Sequence, residues 1–282
     1  TLKKSSSGAD VPMGGWTNTN GYFAWQAGED NTGGSGILGY CLYLGQDEHG
    51  DPKTSKGVLG ESPLNTDGAC QYAVTGEHVD LTAGGALATA LTTSDEPYYL
   101  NIRAIDYSKN VYSGTSESFS FYYDNTPPTN PSFINAPSQF LASKTVTVLW
   151  PATGGDAASD DHSGLKGLQY KIGNGPWYGA EHNGTQDITD LLDNSGSYTT
   201  VDPYDFDQLQ EGNNIISFRT YDQAGNISDD IITTVIKINT DAPSSPQHVI
   251  ASPPNSTQNS FAFSWQAPAV YKGSVESLTY CY

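Results

Sequence analysis

Basic residues are scarce. Only 12 Lys and Arg stand against 31 Asp and Glu, a formal charge of −19 across 282 residues. Phosphate binding needs a basic face, so a nucleic-acid partner is all but excluded, and anionic membrane surfaces are disfavoured for the same reason. Long apolar runs are missing too; nothing approaches the roughly 18 residues of a spanning helix, so no membrane insertion is expected in this segment. There is one Met, and there are three cysteines, Cys41, Cys70 and Cys281. With no C-x-x-C and no His spaced to complete one, a cytosolic metal site is a poor reading. Two readings stay open: three unpaired thiols, or a Cys41–Cys70 disulfide. The disulfide is preferred and implies an oxidising compartment.

Catalytic signatures are equally absent. No H-E-x-x-H, G-x-S-x-G, P-loop or dinucleotide fingerprint occurs. Gly33-Gly34-Ser35-Gly36 is followed by no helix, so it is no phosphate cradle. The histidines (His49, His78, His162, His182 and His248) are scattered over loops, and His162 reads as a solvated side chain rather than a zinc ligand. Paired carboxylates could suggest a glycosidase, but here they fall in repeat-equivalent loops, where a catalytic pair has no need to recur. The chain is read as no enzyme. Helix signals are weak as well. The exception, Leu81 to Leu91, is Ala-rich but broken by Gly84-Gly85, and a short strand or turn there is as good a reading as a helical turn.

What is present is bulk for packed cores (18 Tyr, 9 Phe and 5 Trp) and an internal repeat. Phe23-Ala24-Trp25 leads to Tyr40, Val148-Leu149-Trp150 to Tyr170, and Phe263-Ser264-Trp265 to Tyr280, with Trp-to-Tyr spacings of 15, 20 and 15. Arg103-Ala104-Ile105-Asp106 is matched by Arg219-Thr220-Tyr221-Asp222, each with an Asn four residues past the Asp (Asn110 and Asn226). Pro128 to Pro243 and Trp150 to Trp265 are both offsets of 115. The division expected is a linker over 1–11, sandwich 1 over 12–125, sandwich 2 over 126–240, and the truncated start of a third over 241–282. The closing Leu278-Thr279-Tyr280-Cys281-Tyr282 reads as mid-strand. Alternation in Lys144–Trp150 puts Val146, Val148 and Trp150 on one face, and Tyr98–Ile105 and Asn214–Tyr221 alternate likewise. Ile231–Ile238 is rich in β-branched residues. The fold class is all-β, in tandem sandwiches.

A Trp on the second strand, a Tyr on the third and a Pro-rich start resemble fibronectin type III domains. The Ser-Gly-Leu turn at Ser163 and the Asp222-to-Asn226 segment resemble bacterial immunoglobulin-like repeats of large surface proteins. The resemblance covers about residues 12 to 282 and implies seven strands in two sheets per unit. It also implies that the second-to-third-strand loop, the sixth-to-seventh-strand loop and the N-terminus of each sandwich share one pole.

That pole gathers acids. Asp160 and Asp161 lie in the loop after Trp150, Asp222 at the entrance to the last loop, and Asp124 in the linker ahead. Asp30 and Asp106 are the counterparts in sandwich 1. Converging oxygen ligands suit Ca²⁺, and carboxylates brought this close repel without a cation. The competing reading is ordinary turn chemistry, with Asp222 bracing its hairpin and Asn226 at positive φ. Cys41 shares its strand with core-facing Tyr40, Leu42 and Leu44, so it points outward, and a bridge to Cys70 ties two neighbouring strands. Cys281, at the position equivalent to Cys41, is expected to pair outside this chain segment. Asn183, Asn226 and Asn255 fit the glycosylation acceptor pattern. Trp177-Tyr178 could stack on a sugar, but a hairpin tip with its Trp folded on the sheet is preferred.

The functional expectation is a non-catalytic structural or adhesive repeat segment of a bacterial cell-surface or secreted protein, with Ca²⁺ as its cofactor. The neighbouring domains of the same chain and an extracellular glycan or protein would be its partners. The alternatives are a carbohydrate- or protein-binding module of a secreted hydrolase and a subunit of a surface filament.

Overall fold

The computed structural model describes residues 1–82, 85–178, 197–199 (backbone only), 209–242, 244–255, 257–258 and 260–266. Every regular element among them is a strand, and no helix is long and apolar enough to cross a membrane. The chain forms two compact units. The first comprises Thr1–Thr129 with Ser159–Lys166 and Thr220–Asp229; the second comprises Asn130–Ala158, Gly167–Arg219 and Asp230–Tyr282.

Nine strands build the first unit's sandwich: β1 (Leu2–Lys3), β2 (Asp10–Val11), β3 (Trp16–Thr17), β4 (Tyr22–Ala24), β5 (Ile37–Gly45), β6 (Ala73–Val74), β7 (His78–Asp80), β8 (Tyr98–Asp106) and β9 (Glu117–Tyr123). One sheet runs β2-β1-β4-β7 and the other β3-β9-β8-β5-β6. The chain changes sheets early: β1 pairs antiparallel with β4, while β3 pairs parallel with β9. Strand β5 shows why the sequence folds this way. Its even positions Tyr40, Leu42 and Leu44 enter the main core with Phe23, Leu100 and Phe121. Leu42 and Leu44 are 0% exposed, and burying one such side chain is worth about 1.5–3 kcal/mol. Cys41 points to the opposite face. There it joins a second cluster with Cys70, Ala73 and Ile105, and it is disulfide-bonded to Cys70 with Cα atoms 5.6 Å apart. The bridge ties β5 to the segment just ahead of β6, its antiparallel neighbour.

Later strands are β10 (Phe140–Leu141), β11 (Thr147–Leu149), β12 (Leu165–Ile172), β13 (Ser197–Thr199), β14 (Gly212–Asp222), β15 (Ile232–Ile238), β16 (Gln247–Ser252) and β17 (Ala262–Gln266). They form a β10-β15-β14-β12 sheet, a β11-β13 pair and a β16-β17 hairpin. Val146, Val148 and Trp150 are buried on one face as their alternation dictates, and they pack with Leu168, Tyr170, Ile216 and Phe218. Leu81 to Leu91 forms no helix in its described part; Leu87 bridges Leu59 instead, and Gly84 lies outside the described residues. So do Asn183, Cys281 and the Tyr280 strand.

Candidate metal centre

Two turns of one design frame the acidic residues. At the end of β8 the Asp106 N–H donates to the Asn110 carbonyl (3.1 Å). The Asn110 N–H donates to Asp106 Oδ1 (2.8 Å) and its amide Nδ2 to Oδ2 (2.9 Å). At the end of β14 the Asn226 N–H donates to Asp222 Oδ1 (2.7 Å) and Nδ2 to Oδ2 (2.7 Å), and Gly225 N–H adds a third bond at 2.6 Å. The positive φ falls one residue before the Asn, at Lys109 (+67°) and Gly225 (+102°), not on Asn226 itself. This corrects the turn-chemistry expectation: the Asn side chain folds back on the Asp, so the chain reverses one step earlier.

The two carboxyls titrate in opposite directions. Hydrogen bonds from Asn110 hold the Asp106 carboxyl below its ordinary range. Asp222 is pushed up, first by burial and then by the negative Asp124, against the pull of its Asn226 and Gly225 hydrogen bonds. The turn is the same, and burial decides the sign.

Asp124, Asp160 and Asp222 come together, each with one carboxylate oxygen within 4.8 Å of the others. Asp124 and Asp222 are both 0% exposed. Asp124 follows β9; its Oδ1 accepts from Thr126 N–H (2.9 Å) and its Oδ2 from Ser163 N–H (3.2 Å). Asp160 precedes β12, and its Oδ2 accepts from Gly164 N–H at 2.6 Å and His162 N–H at 3.2 Å. Its Oδ1 is buried with no hydrogen-bond partner among the described residues. Asn226 binds the group together, because its Nδ2 also donates to the Asp124 carbonyl at 2.9 Å. The same nitrogen is the glycosylation acceptor candidate, and here it is engaged.

Neutral donors surround these carboxylates. None of the ion pairs found among the described residues (Lys3–Asp10, Arg103–Asp51, Lys109–Asp67 and His162–Asp95) involves the three acids. Lys4 is a cation that interacts with Asp222. Its Nζ donates to the Ala224 carbonyl at 2.8 Å, and its pKa is lowered by burial and by Lys166, with Asp222 opposing. His162 is raised mainly by its hydrogen bond to Asp95.

The other acids named from the sequence stand apart from this group. Asp161 is exposed. Asp30 closes its own loop by accepting from Asn31 N–H (2.8 Å) and Gly36 N–H (2.7 Å), and Asp106 is occupied by Asn110. Trp177 lies under Arg219, 4.1 Å from its guanidinium, with Lys171 at 4.9 Å, so it is folded onto the sheet. Sequence reasoning missed Lys4 and Asn18, whose Nδ2 donates to Asn226 Oδ1 at 3.1 Å across 208 residues of chain. No local signal reports a pairing so distant.

No protein-family model matches this sequence, and no curated protein matches it. Among solved structures the chain is similar to the fibronectin(III)-like modules of Clostridium thermocellum CbhA, with 12% identity and a TM-score of 0.38 over 84% of this chain and 94% of that one. It is also similar to the FN1–FN3 domains of chicken CNTN1, with 14% identity and a TM-score of 0.38 over 84% of this chain and 68% of that one. Its own strands make the fold all-β. Its strand pairing, described above, is what positions the acids.

Proposed function

We propose that this segment is a non-catalytic structural part of a secreted or cell-surface protein, stabilised by a calcium ion held by Asp124, Asp160 and Asp222. The observation that carries the reading is the buried Asp160 oxygen without a partner, in a group of three carboxylates with two fully buried members. Burying like charges without compensation is costly. A hard cation supplies the missing charge and takes carboxylate oxygens, carbonyls and water as ligands. Bound there, the ion would join the end of β9 to the Ser159–Lys166 loop and the Asp222 turn. The disulfide supports an oxidising compartment. Adhesion, or any particular surface role, is part of this proposal.

Thermal unfolding of the chain in excess Ca²⁺, in Mg²⁺ and in chelator tests it. A ligand present at 100 times its Kd adds about 2.7 kcal/mol to the folded state. Melting is expected to rise by several degrees in Ca²⁺, and the rise should vanish in Asp160→Asn but persist in Asp161→Asn. An equal response of the two variants, or no response of the parent, would sink the site and return these acids to turn chemistry.

A further inference from the structure

The core of the first sandwich is open at one end. A cleft of about 650 Å³ separates the inner faces of the two sheets, walled by Phe23 and Trp25 on one side and by Tyr40, Ile102, Ala104 and Phe119 on the other. Leu100 and Phe121, in the same inward rows, are each 1% exposed. Ile102, Ala104 and Phe119 are only partly buried, so apolar side chains that should be covered face open space.

Backbone with no strand partner among the described residues borders this space. The outer edge of β9 is closed from Ser120 onward, where Gly14 N–H donates to Ser120 O (2.8 Å) and Tyr122 N–H to Gly15 O (2.9 Å). Ser118 lies two residues earlier on the same edge, beside the cleft, and no backbone partner is found for it on that side among the described residues. Across the cleft, Ala24 exchanges hydrogen bonds with Thr1 (3.0 and 2.7 Å). Gln26, next on that edge, has none among the described residues. Glu29 and Glu117 are exposed at the mouth, whereas Arg103 is held by Asp51 at 3.1 Å.

We infer that this cleft accepts an extended peptide segment of another protein as an added strand. Alternate apolar side chains would fill the cleft, and Lys or Arg on either flank would meet Glu29 and Glu117. A strand supplies what the cleft lacks: backbone donors and acceptors for Ser118, and apolar groups at every second position for the open wall. A sugar fits less well, because its usual platform is already used. Trp25 and Tyr40 pack edge-to-face against each other at 77°, and the Tyr40 hydroxyl accepts from Gly28 N–H at 2.8 Å. The inference is independent of the calcium reading, since none of the three acids lines the cleft.

The test is selection of a phage-displayed random nonapeptide library on the whole chain, followed by fluorescence polarisation with the enriched peptides. Peptides with alternating apolar residues and basic flanks are expected. Their affinity should fall at least tenfold in Ser118→Pro, which removes the outward N–H at an edge where Pro is tolerated, and in Ala104→Phe, which fills the cleft. Lys53→Ala should leave it unchanged. If Ser118→Pro unfolds, Ala104→Phe decides alone. No enrichment, peptides without alternation, or peptides that bind both variants as tightly as the parent would overturn the inference. So would two rival occupants lost in Ala104→Phe: an oligosaccharide captured on a glycan array, or a dimer of this chain seen by sedimentation.

Discussion

At the scale of single residues, the Asp106 and Asp222 turns are a controlled comparison. Both carboxyls receive an Asn backbone N–H and an Asn side-chain amide from four residues on, yet Asp106 is lowered and Asp222 raised. A lowered folded-state pKa means that the Asp106 turn contributes stability above the ordinary carboxylate range. That contribution is lost as pH falls through the depressed pKa. The Asp106 midpoint, followed by NMR titration, is therefore expected below that of a free Asp side chain. Asn110→Ala should move it back toward the ordinary value. A midpoint unchanged by Asn110→Ala would remove Asn110 as the cause.

Among the elements, β5 was the most legible. Its alternation in sequence places Tyr40, Leu42 and Leu44 inward and Cys41 outward, and the structure has them so, with Cys70 brought over the outer face by the excursion that precedes β6. Closing a loop of 29 residues is worth about 3–4 kcal/mol in the chain-entropy account. The double variant Cys41→Ser/Cys70→Ser should lose stability on that order in denaturant unfolding, and a thiol assay on the denatured, unreduced parent should find one free cysteine. Three free thiols would remove the bridge. The two-residue strands β1, β2 and β3 were not legible, because no periodicity can be read over two residues; their pairing is imposed by their partners, β4 for β1, β1 for β2 and β9 for β3. The acidic cluster was legible in part. The meeting of Asp124, Asp160 and Asp222 was expected from the repeat and from the shared pole that the resemblance implied. The separation of Asp161, Asp30 and Asp106 from them depends on side-chain direction and local capping, which spacing does not encode.

Over the whole molecule the formal charge of −19 adds self-repulsion to the compact state. Asp222 is pushed up by burial first and by the negative Asp124 beside it. Its raised pKa means its contribution to stability is full at low pH and is lost as pH rises through the folded value. A cation reverses that sign, since it binds ionised oxygens and competes with protons. The difference in melting temperature between Ca²⁺ and chelator should be small near pH 4.5 and larger at pH 7.5. A difference independent of pH would point to an ion held by carbonyls and water alone, away from these acids.

The Cys41–Cys70 link also has a mechanical meaning. If the chain is pulled from its two ends until the first sandwich gives way, the stretch between the cysteines cannot pay out. At about 3.3–3.6 Å per extended residue, the 29-residue separation withholds roughly 100 Å of contour length. A reductant would release it, so the reach of a tethered chain under load would depend on the redox state of its surroundings.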